Sequence, residues 1–317
     1  MLSRVADALF WTGRYLERAS NIARAVDVTF HLDLDLHGVL SSPVELEWNA
    51  LLSMLRQPPP PQLRDGESPV TAVCRWLLLD MTNSGSVMAC VNRARNNARS
   101  IRGSISTQMW RELNKLHWRL SEAGFQARVA ESPHDFCDEA QVGVLLCHGV
   151  CGATMMHDEG WHFIQAGTYL ERADKVLRTL DSTVRLLERT DTSDLPVGTL
   201  QWAAVLRKCR AYEAYQRLSV SRVEPERVID FLLVHPDFPH SVRFCLERVR
   251  DSLTVIGGRL PGRCDAESTR TVGSLVSELT YLDTDGLTGQ RLHDFLGAAV
   301  VRCGSIGQLL QRQYALN

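Results

Sequence analysis

The sequence predicts an all-α protein, a helical bundle assembled from two sequence-related halves. Three observations carry that expectation. Apolar residues recur at 3–4 spacing through almost the whole chain. Runs of alternating β-branched residues, the mark of strands, are scarce. A block near the N-terminus is repeated in the second half of the chain.

Taken in order, the helical pattern covers Leu9–Val28, Glu45–Leu55, Ser86–Gly103, Ser106–Ala123 and Val142–Val150 in the first half. It continues over Trp161–Glu188, Leu200–Ser219, Pro239–Leu253, Ser268–Tyr281 and Leu287–Tyr314. Ser106 is suited to cap the helix that comes after it. Pro58–Pro61 followed by Asp65-Gly66 cannot lie inside a helix and marks a loop. Further breaks are expected at Ser132-Pro133, Asp191–Pro196, Val223–Pro225, Gly257–Gly262 and Asp283–Gly286.

The repeat is specific. Residues 13–28 (GRYLERASNIARAVDV) and 167–182 (GTYLERADKVLRTLDS) share eight of sixteen positions at an offset of 154, where chance gives roughly one. Residues 77–95 and 232–250 share seven of nineteen at an offset of 155, including Ser86/Ser241, Cys90/Cys245, Arg93/Arg248 and Arg95/Arg250. Two blocks at nearly one offset predict halves of about 1–153 and 154–317, packed as one compact body with a pseudo-two-fold relation. A period this long signals a duplicated domain and not a solenoid.

With 317 residues, 44% hydrophobic and 23% charged, the composition is that of an ordinary globular protein. The balance of 35 basic against 37 acidic residues argues against non-specific nucleic-acid binding. No apolar run approaches the roughly 18–20 residues that span a bilayer, and Arg4 and Asp7 interrupt what an export signal would keep apolar. Nine cysteines, most at helical core spacing, read as reduced thiols. The expectation is a cytoplasmic protein with no membrane segment.

Chemistry concentrates in the repeated helix. Arg14, Glu17, Arg18, Asn21 and Arg24 share one face, and Glu171, Arg172, Lys175 and Arg178 recur in the second copy. Three readings stand side by side. The face is a solvated stripe laced by pairs such as Glu171 with Lys175, or a buried packing device, or a functional site retained through duplication. A second cluster places Arg95, Arg99 and Arg102 at i, i+4 and i+7, where guanidinium forks suit carboxylate or phosphate oxygens. Its structural alternative is an ion network with Asp158 and Glu159. Trp110 is expected in the core.

Weaker candidates are ranked low. His31, Asp33, Asp35 and His37 would share a face only in a strand. Cys147, His148 and Cys151, with His157 and His162 downstream, are read as packing. Gly257–Gly262 lacks the Lys-Ser/Thr of a phosphate loop, and no nucleophile elbow occurs. No metal and no cofactor is expected.

Met1–Asp7 with Gly13–Ala19, Asp158–Trp161 before Tyr169–Arg172, Asn97–Ser100 with Arg102, and Phe238-Pro239 before Ser241-Val242 together resemble the bacterial alpha-E domain family. The resemblance covers essentially the whole chain. Thr168 and His157 depart from the basic residues expected at their places. It implies a helical protein partnered with a circularly permuted ATP-grasp ligase, often encoded beside it and beside transglutaminase-like proteins. Two functions are expected from this reading. In the first, the protein is an accessory or scaffold that docks the ligase and holds an anionic or peptide-like substrate in a groove lined by Arg18, Arg172, Arg95, Arg99, Arg102, Asp158 and Glu159. In the second, Glu17 or Glu171 is the general base of an amide-forming or acyl-transfer enzyme and the arginines clamp the anion.

Overall fold

A computed structural model describes residues 1–36, 45–189, 195–218, 223–257 and 266–314. Every regular element among them is helical. In chain order the α-helices are α1 (Ser3–Leu36), α2 (Glu45–Met54), α3 (Pro69–Leu78), α4 (Val87–Ser100), α5 (Thr107–Leu120), α6 (Ala123–Ala127) and α7 (His134–Thr154). They continue as α8 (Glu159–Arg189), α9 (Leu195–Lys208), α10 (Tyr212–Leu218), α11 (Pro225–Val234), α12 (Val242–Ile256), α13 (Glu267–Thr280) and α14 (Gly289–Gln313). The fold class read from periodicity is therefore the one observed.

Contacts divide the chain into two units, Met1–Thr168 and Tyr169–Asn317, so the dividing point falls inside α8. In the first unit α1 is the central element. It packs against α4 and α7, while α5 packs on α7 and α4. Leu16, Ala19, Ile22, Ala23 and Val26 of α1 join Cys90, Val91 and Ala94 of α4 and Ala140, Val144 and Cys147 of α7 in one core. In the second unit α12 and α13 pack together, α13 packs on α14, and α11 lies against α12.

Glycine decides how α1 meets the first turns of α8 within the first unit. A Cβ on Gly13 would lie 2.3 Å from the Ile164 carbonyl oxygen, and one on Gly167 would lie 2.2 Å from the Phe10 carbonyl oxygen. The two backbones touch at the matched glycines of the repeat, a distance only a residue without a side chain permits. Both helices are consequently enclosed. Leu9, Ala19 and Ala23 of α1, and Ile164 and Ala166 of α8, are fully buried.

Local signals recur in the two units. Ser86 and Ser241 cap α4 and α12 by accepting from the Ala89 and Phe244 amides at 3.1 Å. Ser106 caps α5 by accepting from the Met109 amide, as its sequence predicts. Pro69 and Pro225 open ten-residue helices 156 residues apart. Arg56 (φ 52°) and Arg210 (φ 54°), 154 residues apart, are left-handed and close α2 and α9. The next amides along the chain, Gln57 and Ala211, donate back to the Leu52 and Leu206 carbonyls, the wrap that ends a helix in a left-handed residue.

The structure corrects several element boundaries. α3 and α11 were not expected, because short proline-led segments offer too few turns for a periodic signal. The single helix expected over Leu200–Ser219 is broken at Arg210. α1 and α7 extend well past the apolar stretches that announced them. Of the expected loop over Asp191–Pro196, Pro196 lies in the first turn of α9, and residues 191–194 lie outside the described residues, as do His37, Gly258–Gly262 and Cys264. No helix of the described residues is long and apolar enough to cross a membrane.

Two substitutions test these features. Gly13→Ala is expected to destabilise the fold by about 1–3 kcal/mol, because neither backbone can retreat; urea denaturation monitored by circular dichroism measures it. Arg56→Gly is expected to raise stability by about 1 kcal/mol, the cost of a side chain in the left-handed region, read as a higher urea midpoint at unchanged slope.

Candidate functional site

Several polar residues of α1 are interior. Glu17 is 3% exposed, Asn21 5% and Asp27 7%, so the stripe is not the solvated face offered as one reading. Glu171 and Asp174 of α8 are buried as well, and so is Lys175, whose ammonium donates to the Lys208 carbonyl at the end of α9. A cation at that helix terminus satisfies an orphan carbonyl and meets the negative end of the helix dipole.

Each part of the Glu-Arg motif has a defined neighbourhood. The Glu17 carboxylate lies 3.5 Å from His148 Nε2 on α7, an ion-pair distance when the imidazole is protonated. Arg18 lies over the Tyr15 ring at 5.9 Å, and Arg93 of α4 lies over the same ring at 5.7 Å. Tyr15 also stacks on Trp11 with centroids 5.2 Å apart, and Arg14 lies over that indole. In the second unit Arg172 lies 5.0 Å from the Tyr169 ring and donates to the Pro239 carbonyl at 3.1 Å. Tyr169 meets Phe244 edge-on, and Arg248, the counterpart of Arg93, lies over Phe244. The arginine of the motif is thus a cation held over an aromatic ring in both units.

The expected arginine cluster is rearranged. α4 ends at Ser100, so Arg102 leaves the face of Arg95 and Arg99 and enters a short 3-10 turn. Arg95 donates from Nε to Asn114 Oδ1 at 2.7 Å and lies over both Trp110 and Trp118, at 5.8 and 5.3 Å. Arg102 lies 4.8 Å from the Trp110 centroid. Arg99 is exposed. Trp110, Asn114 and Trp118 stand at i, i+4 and i+8 on α5, where that spacing puts them on one face. With Thr107, Arg111 and Lys115 they line an open groove of about 550 Å³.

Asp158 and Glu159 are not part of this cluster. Asp158 Oδ1 accepts from the Gly160 and Trp161 amides and so caps α8. Glu159 accepts from the Met1 amino group at 3.3 Å. Among the described residues no ion pair joins either to Arg95, Arg99 or Arg102.

Other candidates resolve in place. Trp110, expected in the core, packs one face there and offers the other to Arg95 and Arg102. Trp118, 62% exposed, went unread, although its spacing from Trp110 was available. His31 and Asp33 lie on helix and not strand, so alternation does not align them, and Asp33 accepts from the Trp48 indole. Cys147 and Cys151 face the core while His148 turns to Glu17 and His157 stacks on Trp161. Burial pushes the Cys74, Cys147 and Cys151 thiols up to about 12, which removes them as nucleophiles. Burial together with the Arg95 charge lowers the His117 pKa beside the groove.

Glu17→Ala is expected to cost about 1–3 kcal/mol by stranding His148. His148→Ala in the Glu17→Ala background then costs less than it does alone, and a double-mutant cycle in urea reads that coupling.

Curated relatives include an uncharacterised protein of Mycobacterium bovis, 26% identical over 306 residues, and uncharacterised proteins of Mycobacterium tuberculosis at 26% and 25%. Each match takes in 90% of this chain and 34% of the relative, so the chain spans about a third of the length of the curated relatives it matches. No solved structure is significantly similar to it. The match to a family described as a predicted alpha-helical domain with a conserved ER motif extends over residues 1–315, and with the Glu17-Arg18 and Glu171-Arg172 helices in place the chain belongs to the Alpha-E family.

Proposed function

We propose that this Alpha-E protein is an accessory module of an ATP-grasp ligase system, docking the ligase or its anionic, peptide-like substrate through the groove along α5 and the arginines beside it. The observation that carries the reading is the pairing of Arg95 and Arg102 with the indoles of Trp110 and Trp118, two residues that line an open groove along α5. Guanidinium and indole together match a carboxylate beside a flat or apolar group, and these two residue types dominate the energetics of protein interfaces. Arg111 adds a further guanidinium to the lining.

Further support comes from the chemistry of the lining. Its residues include no thiol or carboxylate, and the nearby Glu112 is engaged by Lys115 at 2.8 Å. The glutamate of the motif is enclosed at 3% exposure. On α7, Val142, Leu145 and Leu146 form a stripe that is 49–54% exposed, a second surface suited to a partner. Matching relatives carry this module as about a third of a longer chain, which fits a part that works beside other domains. The circularly permuted ATP-grasp ligase, and a transglutaminase-like protein as a further partner, are named through the family resemblance alone.

The test is association of the purified protein with a circularly permuted ATP-grasp ligase from the same host, measured by biolayer interferometry. Trp118→Ala and Arg95→Ala are expected to weaken binding by about tenfold or more each, with the helical circular dichroism unchanged. Binding that ignores both substitutions, or no association at all, defeats the docking reading. Ligase-independent turnover of activated acyl donors, lost in Glu17→Gln, would replace it with the enzymatic one.

A further inference from the structure

Asp27, ten residues beyond Glu17 on α1, meets two histidines. His134, the first residue of α7, places Nδ1 2.8 Å from Asp27 Oδ1. His31, one turn along α1, places Nδ1 2.9 Å from the Asp27 backbone carbonyl oxygen and 3.4 Å from the same carboxylate oxygen. One donor atom from each of the three lies within 4.8 Å of the others. Ligands about 2.0–2.1 Å from a tetrahedral metal are about 3.3 Å apart, so small turns of the two imidazoles close the set. Both rings have room to turn, being 51% and 50% exposed, whereas the carboxylate is 11% exposed and fixed. The rings are already arranged edge to face, 5.2 Å apart.

The corresponding place in the second unit shows what a plain ion pair looks like. Asp181 matches Asp27 in the repeat, and Arg185 stands where the first unit has His31. Arg185 Nε lies 3.0 and 3.1 Å from the two Asp181 oxygens. His293 of α14 takes the remaining contact, with Nδ1 3.3 Å from Asp181 and Nε2 2.8 Å from Glu188. There a permanent cation occupies the carboxylate. In the first unit an imidazole, which can ligate a metal, stands in place of that guanidinium, which cannot.

We propose that Asp27, His31 and His134 bind a divalent transition-metal ion of the zinc class, clipping the C-terminal part of α1 to the start of α7. Two imidazoles and one carboxylate suit Zn2+ or Co2+ and not the all-oxygen preference of Ca2+ or Mg2+. Three protein ligands on an accessible surface leave a fourth position for water or a small anion.

The experiment titrates the purified, metal-stripped full chain with Co2+, monitoring visible d–d absorption, and then displaces it with Zn2+. Thermal midpoints with and without Zn2+ give the second readout, since an ion that binds only the folded chain raises them. Wild type is expected to take up a single Co2+, lose the spectrum to Zn2+ and melt at a higher temperature with Zn2+. His31→Arg, which copies the arrangement of the second unit, and His134→Ala are expected to weaken Co2+ binding by at least about tenfold. The metal-free midpoint of His31→Arg should stay near that of wild type, so loss of binding there is not loss of folding. A wild-type chain with no Co2+ spectrum and no Zn2+-dependent midpoint overturns the proposal, as does undiminished binding by His31→Arg. Mg2+ or Ca2+ raising the midpoint as much as Zn2+ would also overturn it.

Discussion

At Gly13 and Gly167 the backbones of α1 and α8 touch, each glycine placed against a carbonyl oxygen of the opposite helix. That contact fixes the surroundings of α1. A helix gripped this closely has little free circumference, and α1 is further covered by α4 and α7. Residues that on an ordinary amphipathic helix would point to water are therefore interior. Glu17, Asn21 and Asp27 are buried, and burial without a partner would cost each of them several kcal/mol at roughly the scale known for isolated polar groups. The fold answers by bringing histidines from α7 to the two carboxylates, His148 to Glu17 and His134 to Asp27.

The arginines obey a different rule. Arg18, Arg93, Arg95, Arg102, Arg172 and Arg248 each lie over an aromatic ring. A ring face stabilises a guanidinium without neutralising it, leaving its outer edge able to bond an incoming oxyanion. In the first unit this produces an indole-and-guanidinium groove on the outside of α5. The charge pattern thus separates into an enclosed acidic set on α1 and an accessible basic set on α4 and α5.

Duplication explains why elements resemble one another, and divergence explains where chemistry differs. Capping serines, proline-led short helices and left-handed arginines recur at nearly one spacing. These are backbone devices, needed wherever the chain takes the same path. Side-chain chemistry has drifted: His31 answers to Arg185, and Arg99 and Arg102 to Thr254 and Gly257.

By itself the sequence determined the helical class, the repeated Glu-Arg helix and its glycine, and the cap at Ser106, because periodicity and capping are short-range properties of the chain. It left α3 and α11 unread, since ten residues opened by proline carry too few turns to show a period. It placed Arg102 with Arg95 and Arg99 because it could not show where α4 stops. Whether Glu17 faces water or His148, and whether Asp27 meets His134 over 107 residues of chain, depends on how helices pack around α1. Only tertiary structure decides such matters, because a helical wheel records which residues share a face and not what covers it.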